Sequence, residues 1–174
     1  RGLSLLTLMK KVDVDAVRAF RRMTNYFELL QLPQAFDVDL VALKNHYDEV
    51  RKSIHPDRFV NKSDVEKRVA VQYSALLNDA YQTLLSPVKR AIHLLALQGD
   101  CLNLEHETIK DEAFLMLQMK LRERIGEGED MEAELAKASK AMIQELTAAF
   151  SVEDFKKARL LTQKLQFFNK LLAE

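Results

Sequence analysis

The sequence predicts an all-α protein built from two helical domains. Its 174 residues include only 4 glycines and 3 prolines, so residues that interrupt helices are scarce. Apolar side chains recur at steps of three and four over long stretches, which is typical of amphipathic helices. No run alternates apolar and β-branched residues with polar ones, as a half-buried strand would. The length allows one large or two small domains with buried cores.

Charge and cysteine content narrow the class of partner. Lys plus Arg and Asp plus Glu both number 26, so no overall positive field predicts nucleic-acid binding. A partner would therefore meet local patches. The single cysteine, Cys101, excludes an internal disulfide and a cysteine-pair zinc site, which fits a reducing compartment.

Residues 1–23 are predicted to be an N-terminal extension. The apolar run Leu3–Met9 is too short to span a bilayer and no small-residue cleavage site follows, so no signal peptide or membrane segment is expected. Asp13 and Asp15 disfavour a transit peptide. Because the helical pattern starts directly afterwards, we interpret Met23 as the natural start.

The first two predicted helices cover 24–30 and 40–54. Thr24 or Asn25 is expected to cap the first, and Asp37 the second. The second helix has one apolar stripe, formed by Leu40, Leu43, Tyr47, Val50 and Ile54. Its solvent side is predicted to carry the basic side chains of Lys44, His46, Arg51 and Lys52, either as a solvated face or as a docking patch for an acidic partner.

A polar loop, His55-Pro56-Asp57-Arg58, follows that helix. Proline disfavours helical geometry in the residue before it, so the helix is expected to stop at about His55. Ser63-Asp64-Val65-Glu66 is a capping box that opens the next helix. That helix has a matching stripe of Val65, Val69, Tyr73, Leu76, Ala80, Tyr81 and Leu84. The two helices are expected to form an antiparallel hairpin with His-Pro-Asp at its exposed tip.

Four further helices are predicted after Leu85. Ser86 and Pro87 open one that stops at Gly99, and 99–107 is the expected linker. The next runs from Thr108 or Asp111 to Ile125, where Gly126-Glu127-Gly128 breaks it, with the stripe Phe114, Leu117, Leu121 and Ile125. Another covers about 129–149, with Met131, Leu135, Ala138, Met142, Leu146 and Ala149 in register.

The last predicted helix opens with the capping pattern Ser151-Val152-Glu153-Asp154. Its stripe comprises Phe155, Ala158, Leu161, Leu165, Phe168 and Leu172. The three helices of 108–174 are joined by short connections, so an antiparallel three-helix bundle is expected.

Four apolar side chains fall off the core stripes of this bundle: Leu115, Met116, Met119 and Phe167. One interpretation is that the other domain covers them or that the stripe is wide. The other is an exposed apolar patch, which usually marks a partner site.

Several of these segments together resemble a known family. Residues 24–98, with the His-Pro-Asp loop between two amphipathic helices, look like a J-domain. With the bundle and its segments Phe114-Leu115-Met116 and Lys164-Leu165-Gln166-Phe167-Phe168-Asn169-Lys170-Leu171, the chain resembles the HscB family of iron–sulfur co-chaperones. Asp48 and Glu49 depart from the basic residues that many J-domains carry there. The resemblance implies an L-shaped two-domain arrangement.

The resemblance also implies partners. A DnaK-type chaperone of the HscA kind would dock on the hairpin and be stimulated to hydrolyse ATP, through His55, Pro56, Asp57, Arg58, Lys44, Arg51 and Lys52. An iron–sulfur scaffold protein of the IscU type would bind the bundle through Leu115, Met116, Met119, Glu123 and Phe167. No catalytic residue, cofactor or metal site is expected. A monomer is expected. Some members of the family carry an N-terminal cysteine-rich metal site, and its absence here favours the bacterial form and a location in the bacterial cytoplasm.

Two other functions stay open at this stage. His55 and Asp57 could form the acid–base pair of an enzyme, and turnover without any chaperone would identify one. The chain could also be a general co-chaperone, which would bind denatured proteins. Asp48, Glu49 and the absence of a glycine-rich region count against that function.

Overall fold

The computed structural model of the chain describes residues 25–54, 57, 63–102, 109 and 111–173. Within these residues the protein forms seven helices and no strand, which confirms the all-α prediction. The extension 1–23, three residues of the loop (His55, Pro56 and Arg58) and residues 103–107 of the expected linker lie outside the described residues.

The chain divides into two compact units. The first comprises the residues up to Gln34 together with Val38–Ser86, and the second comprises Ala35–Asp37 together with Pro87–Glu174. This division falls earlier than the linker expected at 99–107, and the packing of the second unit explains why.

The first unit contains three helices. They are α1 (Tyr26–Leu29), α2 (Leu40–Ile54) and α3 (Asp64–Leu85). The Asn25 side chain accepts a hydrogen bond from the Phe27 N–H at 3.0 Å and caps α1 as predicted. The Ser63 capping box of α3 is also confirmed, because the Ser63 hydroxyl accepts from the Glu66 N–H and the Glu66 carboxylate accepts from the Ser63 N–H.

The cap predicted for α2 is wrong. Asp39, and not Asp37, accepts hydrogen bonds from the backbone N–H groups of Val41 at 2.8 Å and Ala42 at 3.2 Å. Since a cap reaches only the N–H groups two or three residues ahead, Asp37 stands too early in the chain to reach the first turn.

The α2–α3 hairpin is held by a buried core and a tyrosine pair. The Tyr47 and Tyr81 rings stack with centroids 4.3 Å apart, and the Tyr47 hydroxyl donates to Asn78 Oδ1 at 2.6 Å. The buried apolar residues of this unit are Phe27, Leu30, Leu43, Ile54, Ala70, Leu76, Leu77, Ala80 and Leu84. Leu40 and Val65, predicted on the stripes, are exposed because both lie in the first turn of their helices.

His46 was predicted on the solvent side of α2, and this is wrong. Its ring is half-buried, with Nδ1 2.8 Å from the carbonyl oxygen of Leu30. The imidazole thereby ties α2 to the end of α1.

The second unit contains the remaining four helices. They are α4 (Pro87–Leu97), α5 (Glu112–Gly126), α6 (Glu132–Ser151) and α7 (Phe155–Leu171). Helix α7 packs closely against both α4 and α6. Helix α4 was expected within the domain 24–98, but because its apolar side meets α7 it belongs to the second compact unit.

Three residues between α1 and α2 also belong to the second unit. The Phe36 ring stacks on Phe150 with centroids 5.2 Å apart. The buried guanidinium of Arg90 lies 5.5 Å from the centre of the Phe36 ring and donates to the Phe36 carbonyl at 2.7 Å. Burial lowers the pKa of Arg90, and the charge of Asp37 opposes that shift.

The helix ends of this unit share one backbone pattern. The Gly99 N–H donates to the carbonyl of Ala96 and the Asp100 N–H donates to the carbonyl of Leu95, each at 3.0 Å. The pattern needs a left-handed residue, which Gly99 supplies at φ +84° and Gly128 at φ +85°. Both predicted glycine stops are therefore confirmed.

The junction of α6 and α7 differs from the prediction. Ser151 is the last residue of α6, and Asp154 caps α7 by accepting from the Lys157 N–H at 3.0 Å. The predicted cap at Ser151 is wrong because α6 runs two residues further than expected. Leu172 is exposed and lies beyond the end of α7.

Glu153 adopts the left-handed conformation at φ 56°, where a side chain is strained. We expect Glu153→Gly to raise the free energy of unfolding by about 0.5–1 kcal/mol, because the relief of strain exceeds the entropy that glycine loses on folding. Urea unfolding of the two proteins measures the difference.

Glu127→Gly is the matched control for this change. Glu127 ends α5 at φ −80°, an ordinary helical value, so glycine should bring no gain there. Equal effects of the two substitutions would show that backbone strain at Glu153 does not limit stability.

Candidate functional site

The first candidate surface lies along α2 towards the loop that follows it. Lys44, Arg51 and Lys52 are exposed, as predicted. Lys44 and Arg51 are seven residues apart, or about two turns, so they lie above one another on one face. Asp57 is exposed, and it is the one residue of the His-Pro-Asp motif that the structure describes.

The second candidate surface is the outer face of α5. Leu115, Met116 and Met119 are 41%, 58% and 70% exposed. At 100° per residue they span an arc of roughly 100° on the helix, and Glu123 falls within the same arc. We call these four residues the α5 outer face. Exposed apolar side chains grouped on one helix are typical of a protein-binding surface.

The inner face of α5 is narrower than the predicted stripe. Phe114 and Leu121 are buried and Ile125 packs against the same core, but Leu117 is 40% exposed. The prediction for Leu117 is wrong because the seam follows residues 114, 118, 121 and 125, and position 117 points about 70° away from it. The buried residues of this core are Phe114, Leu121, Met131, Leu135, Phe167, Phe168 and Leu171.

Phe167 lies in that core, so its expected place in an exposed patch is wrong. It is 9% exposed, and its ring meets the edge of Phe114 with centroids 5.5 Å apart. The Arg122 guanidinium lies 5.7 Å from the centre of the Phe167 ring. A helix wheel with a single core stripe misplaced Phe167, because α7 contacts α4, α5 and α6 and is buried over a much wider arc.

The start of α5 is fastened to α7 by a charged pair. Lys164 Nζ donates to Asp111 Oδ2 at 2.6 Å, and Asp111 Oδ1 accepts from the Phe114 N–H at 3.0 Å. Asp111 therefore caps α5, one of the two starts predicted for this helix. The hydrogen bond from Lys164, followed by that from the Phe114 N–H, holds the pKa of Asp111 below its ordinary value.

The end of α5 is joined to α6 by a second charged group. Arg124 Nε donates to Glu129 at 2.7 Å and its Nη1 donates to Glu134 at 3.2 Å. These carboxylates raise the pKa of Arg124. Since all three side chains are substantially exposed, the contribution of the pairs to stability is small.

Among the residues that the structure describes, the other titratable groups do not gather into a site. His93 is half-buried, and burial lowers its pKa, so its ring is neutral near pH 7. Cys101 is exposed. Within the described residues no three His, Cys, Asp or Glu side chains are placed to hold a metal ion, and none of the helices described is long and apolar enough to cross a bilayer.

Comparison with known families and proteins matches both parts of the chain. Residues 110–174 match a family model described as the HSCB C-terminal oligomerisation domain. A protein of Shewanella oneidensis named Co-chaperone protein HscB homolog is 40% identical over 141 residues, covering 81% of this chain and 78% of the relative. A protein of the same name from Mannheimia succiniciproducens is 38% identical over 162 residues, covering 87% and 94%.

Solved structures give the same result. The crystal structure of human co-chaperone protein HscB superimposes with a TM-score of 0.82 at 30% identity, covering 86% of this chain and 79% of the human chain. The chaperone HscB from Vibrio cholerae has a TM-score of 0.76 at 32% identity and covers 86% and 94%.

The position of Phe167 predicts a large effect on stability. We expect Phe167→Ala to lower the free energy of unfolding by about 3 kcal/mol, because it leaves a cavity between Phe114 and Phe168. Met119→Ala, at an exposed position of α5, should stay within about 0.5 kcal/mol of the wild type. Chemical denaturation measures both, and similar midpoints would place Phe167 outside the core.

The Asp111 pair predicts a pH dependence of stability. Above the ordinary aspartate pKa the carboxylate is charged in both states and the pair with Lys164 contributes fully; below it the unfolded state binds a proton first, and the contribution is lost as the pH falls through the lowered native pKa. Asp111→Asn should therefore be less stable than wild type near neutral pH, and the difference should shrink in acid.

Urea unfolding over a pH series measures this difference. The control is Asp154→Asn, which makes the same substitution at the cap of α7 and leaves the Asp111–Lys164 pair in place. A wild-type advantage over Asp111→Asn that grows as the pH falls would contradict the sign of the pKa shift.

Proposed function

The chain belongs to the HscB family of co-chaperones, and we propose that it brings an iron–sulfur scaffold protein of the IscU type to a DnaK-type chaperone of the HscA kind. The observation that carries the proposal is the α5 outer face, an exposed apolar surface in the unit that matches the family model. Each partner would bind a different compact unit.

The chaperone would dock on the first unit. In this proposal Asp57 makes a charge-assisted hydrogen bond with an arginine of the chaperone, Pro56 fixes the loop, and His55 supplies a hydrogen-bonding ring. Arg58 stands beside them in the sequence. The exposed side chains of α2 would attract an acidic surface and speed the encounter, and they are Lys44, Arg51 and Lys52.

The scaffold would dock on the second unit. Leu115, Met116 and Met119 would be buried in the complex, each contributing roughly 1.5–3 kcal/mol before the costs of association. Methionine suits such a surface because its flexible side chain adapts to the partner. Glu123 would bind at the edge. Phe167 supports this surface from beneath, through its contact with Phe114.

The chemistry would belong to the chaperone. This chain would favour the ATP-hydrolysing conformation of its partner by binding it, an allosteric effect that needs no active site or cofactor of its own. We further infer that it acts as a monomer in the bacterial cytoplasm; the relatives from Shewanella oneidensis and Mannheimia succiniciproducens support a bacterial source.

Steady-state ATP hydrolysis by an HscA-type chaperone tests the whole proposal. The chain should stimulate hydrolysis, and the scaffold should increase the stimulation further. His55→Gln should abolish stimulation with and without scaffold, because both effects require docking of the loop. The joint variant Leu115→Ala and Met119→Ala should keep the basal stimulation and lose only the increment from the scaffold.

Two controls make the result specific. Circular dichroism should show that each variant is folded, and Lys120→Ala, an exposed change on α5 outside the α5 outer face, should behave as wild type. Stimulation that survives His55→Gln would contradict the docking role of the loop. An unchanged scaffold increment in the joint variant would contradict the role of α5.

A further inference from the structure

Lys164 joins α5 to α7 at two points of the first turn of α5. Its ammonium donates to Asp111 Oδ2 at 2.6 Å and lies 5.1 Å from the centre of the Phe114 ring. The Asp111 carboxylate also accepts from the Phe114 N–H. The Asp111 side chain therefore caps the first turn of α5 and pairs with Lys164 at the same time.

The rest of the unit holds α5 mostly by long side chains. Close packing of helix backbones occurs between α6 and α7 and between α4 and α7. The contacts of α5 with α7 instead run through side chains, and they include Phe114 against Phe167 and Phe168, Arg122 over the Phe167 ring, and the Lys164 pair.

The end of α5 is also joined to α6 by the Arg124 pairs with Glu129 and Glu134. At its first turn, apolar contacts by themselves would fix the rotation of the helix only weakly, because they are not directional.

The two contacts of Lys164 remove this remaining freedom of rotation. The Asp111 carboxylate fixes the height of the first turn against α7, and the Phe114 ring fixes its rotation. Leu115 and Met116 follow Phe114 directly, about 100° and 200° round the helix. Any rotation at Phe114 would therefore move the α5 outer face by the same angle.

We propose that Lys164 is a positioning residue for the α5 outer face: it holds the exposed apolar side chains of α5 in the orientation that the scaffold protein binds. This inference rests on the proposed function of that face. The Lys164 side chain is only 20% exposed, so in this proposal it acts on the α5 outer face and not by binding the partner itself. Its effect is to lower the ordering cost of binding, since the surface is already arranged before the partner arrives.

Scaffold affinity, measured by isothermal titration calorimetry with the full chain, tests the proposal. Lys164→Met retains a long, flexible side chain but removes the ammonium group. The substitution should weaken scaffold binding about tenfold. Lys164→Arg should restore most of the affinity, because a guanidinium pairs with a carboxylate and also packs on an aromatic ring.

Asp111→Asn removes the same ion pair by changing its acidic member. Asparagine still caps a helix, so α5 should form, but the ion pair is lost. The variant should weaken binding as Lys164→Met does, and the double variant should show no further loss. Amide hydrogen exchange at the Phe114 N–H should be faster in both variants, and this reports the local effect without the partner.

Arg159→Met is the matched control. It breaks an ion pair on the same helix, between Arg159 and Asp100, whose side chains are 29% and 33% exposed compared with 20% and 29% for Lys164 and Asp111. Its scaffold affinity should equal that of the wild type even if its thermal stability falls, because the pair joins α7 to Asp100, which follows α4, and not to the start of α5.

The outcomes separate this proposal from the function it rests on. If Lys164→Met and Asp111→Asn bind no more weakly than Arg159→Met, while Met119→Ala binds poorly, the positioning role is wrong and the docking surface stands. If Met119→Ala also binds as wild type, the docking surface itself is wrong. A Lys164→Met protein that fails to fold leaves Asp111→Asn, with its capping side chain, to decide the question.

Discussion

The second unit depends on the burial of α7 against several neighbours at once. Its apolar and small side chains meet α4 and α6 closely, and its aromatic residues meet α5. Within the described residues of this unit, α5 packs through the side that carries Phe114 and Leu121, and leucine and methionine lie exposed on its outer side. The central position of α7 thus leaves the outer side of α5 exposed, and the proposed scaffold-binding surface lies there.

Local signals in the sequence were sufficient for much of the fold. The cap at Asn25, the capping box at Ser63 and the glycine stops at Gly99 and Gly128 depend on residues within one turn, so they can be predicted from short segments. The α5 outer face was also predictable, since Leu115, Met116 and Met119 are apolar residues outside any single stripe.

The errors arose where tertiary packing decides. Phe167 and Leu117 were misplaced because the number of helices that pack around α7 and α5 cannot be inferred from the spacing of apolar residues within either helix. Asp39 was missed as a cap because Asp37 is the same residue type two positions earlier. The Lys164–Asp111 pair joins residues 53 positions apart, and neither side chain carries a local signal for the other.

The path of the chain between α1 and α2 bears on how this protein can be divided. Ala35–Asp37 lie in the second unit, although the helices on either side belong to the first. A single cut at residues 99–107 would leave Phe36 and Arg90 on one fragment and Phe150 on the other, and would strip α4 from α7. The two units are therefore not interchangeable modules, and gene fusion or exon shuffling at that point would expose apolar surface on both pieces.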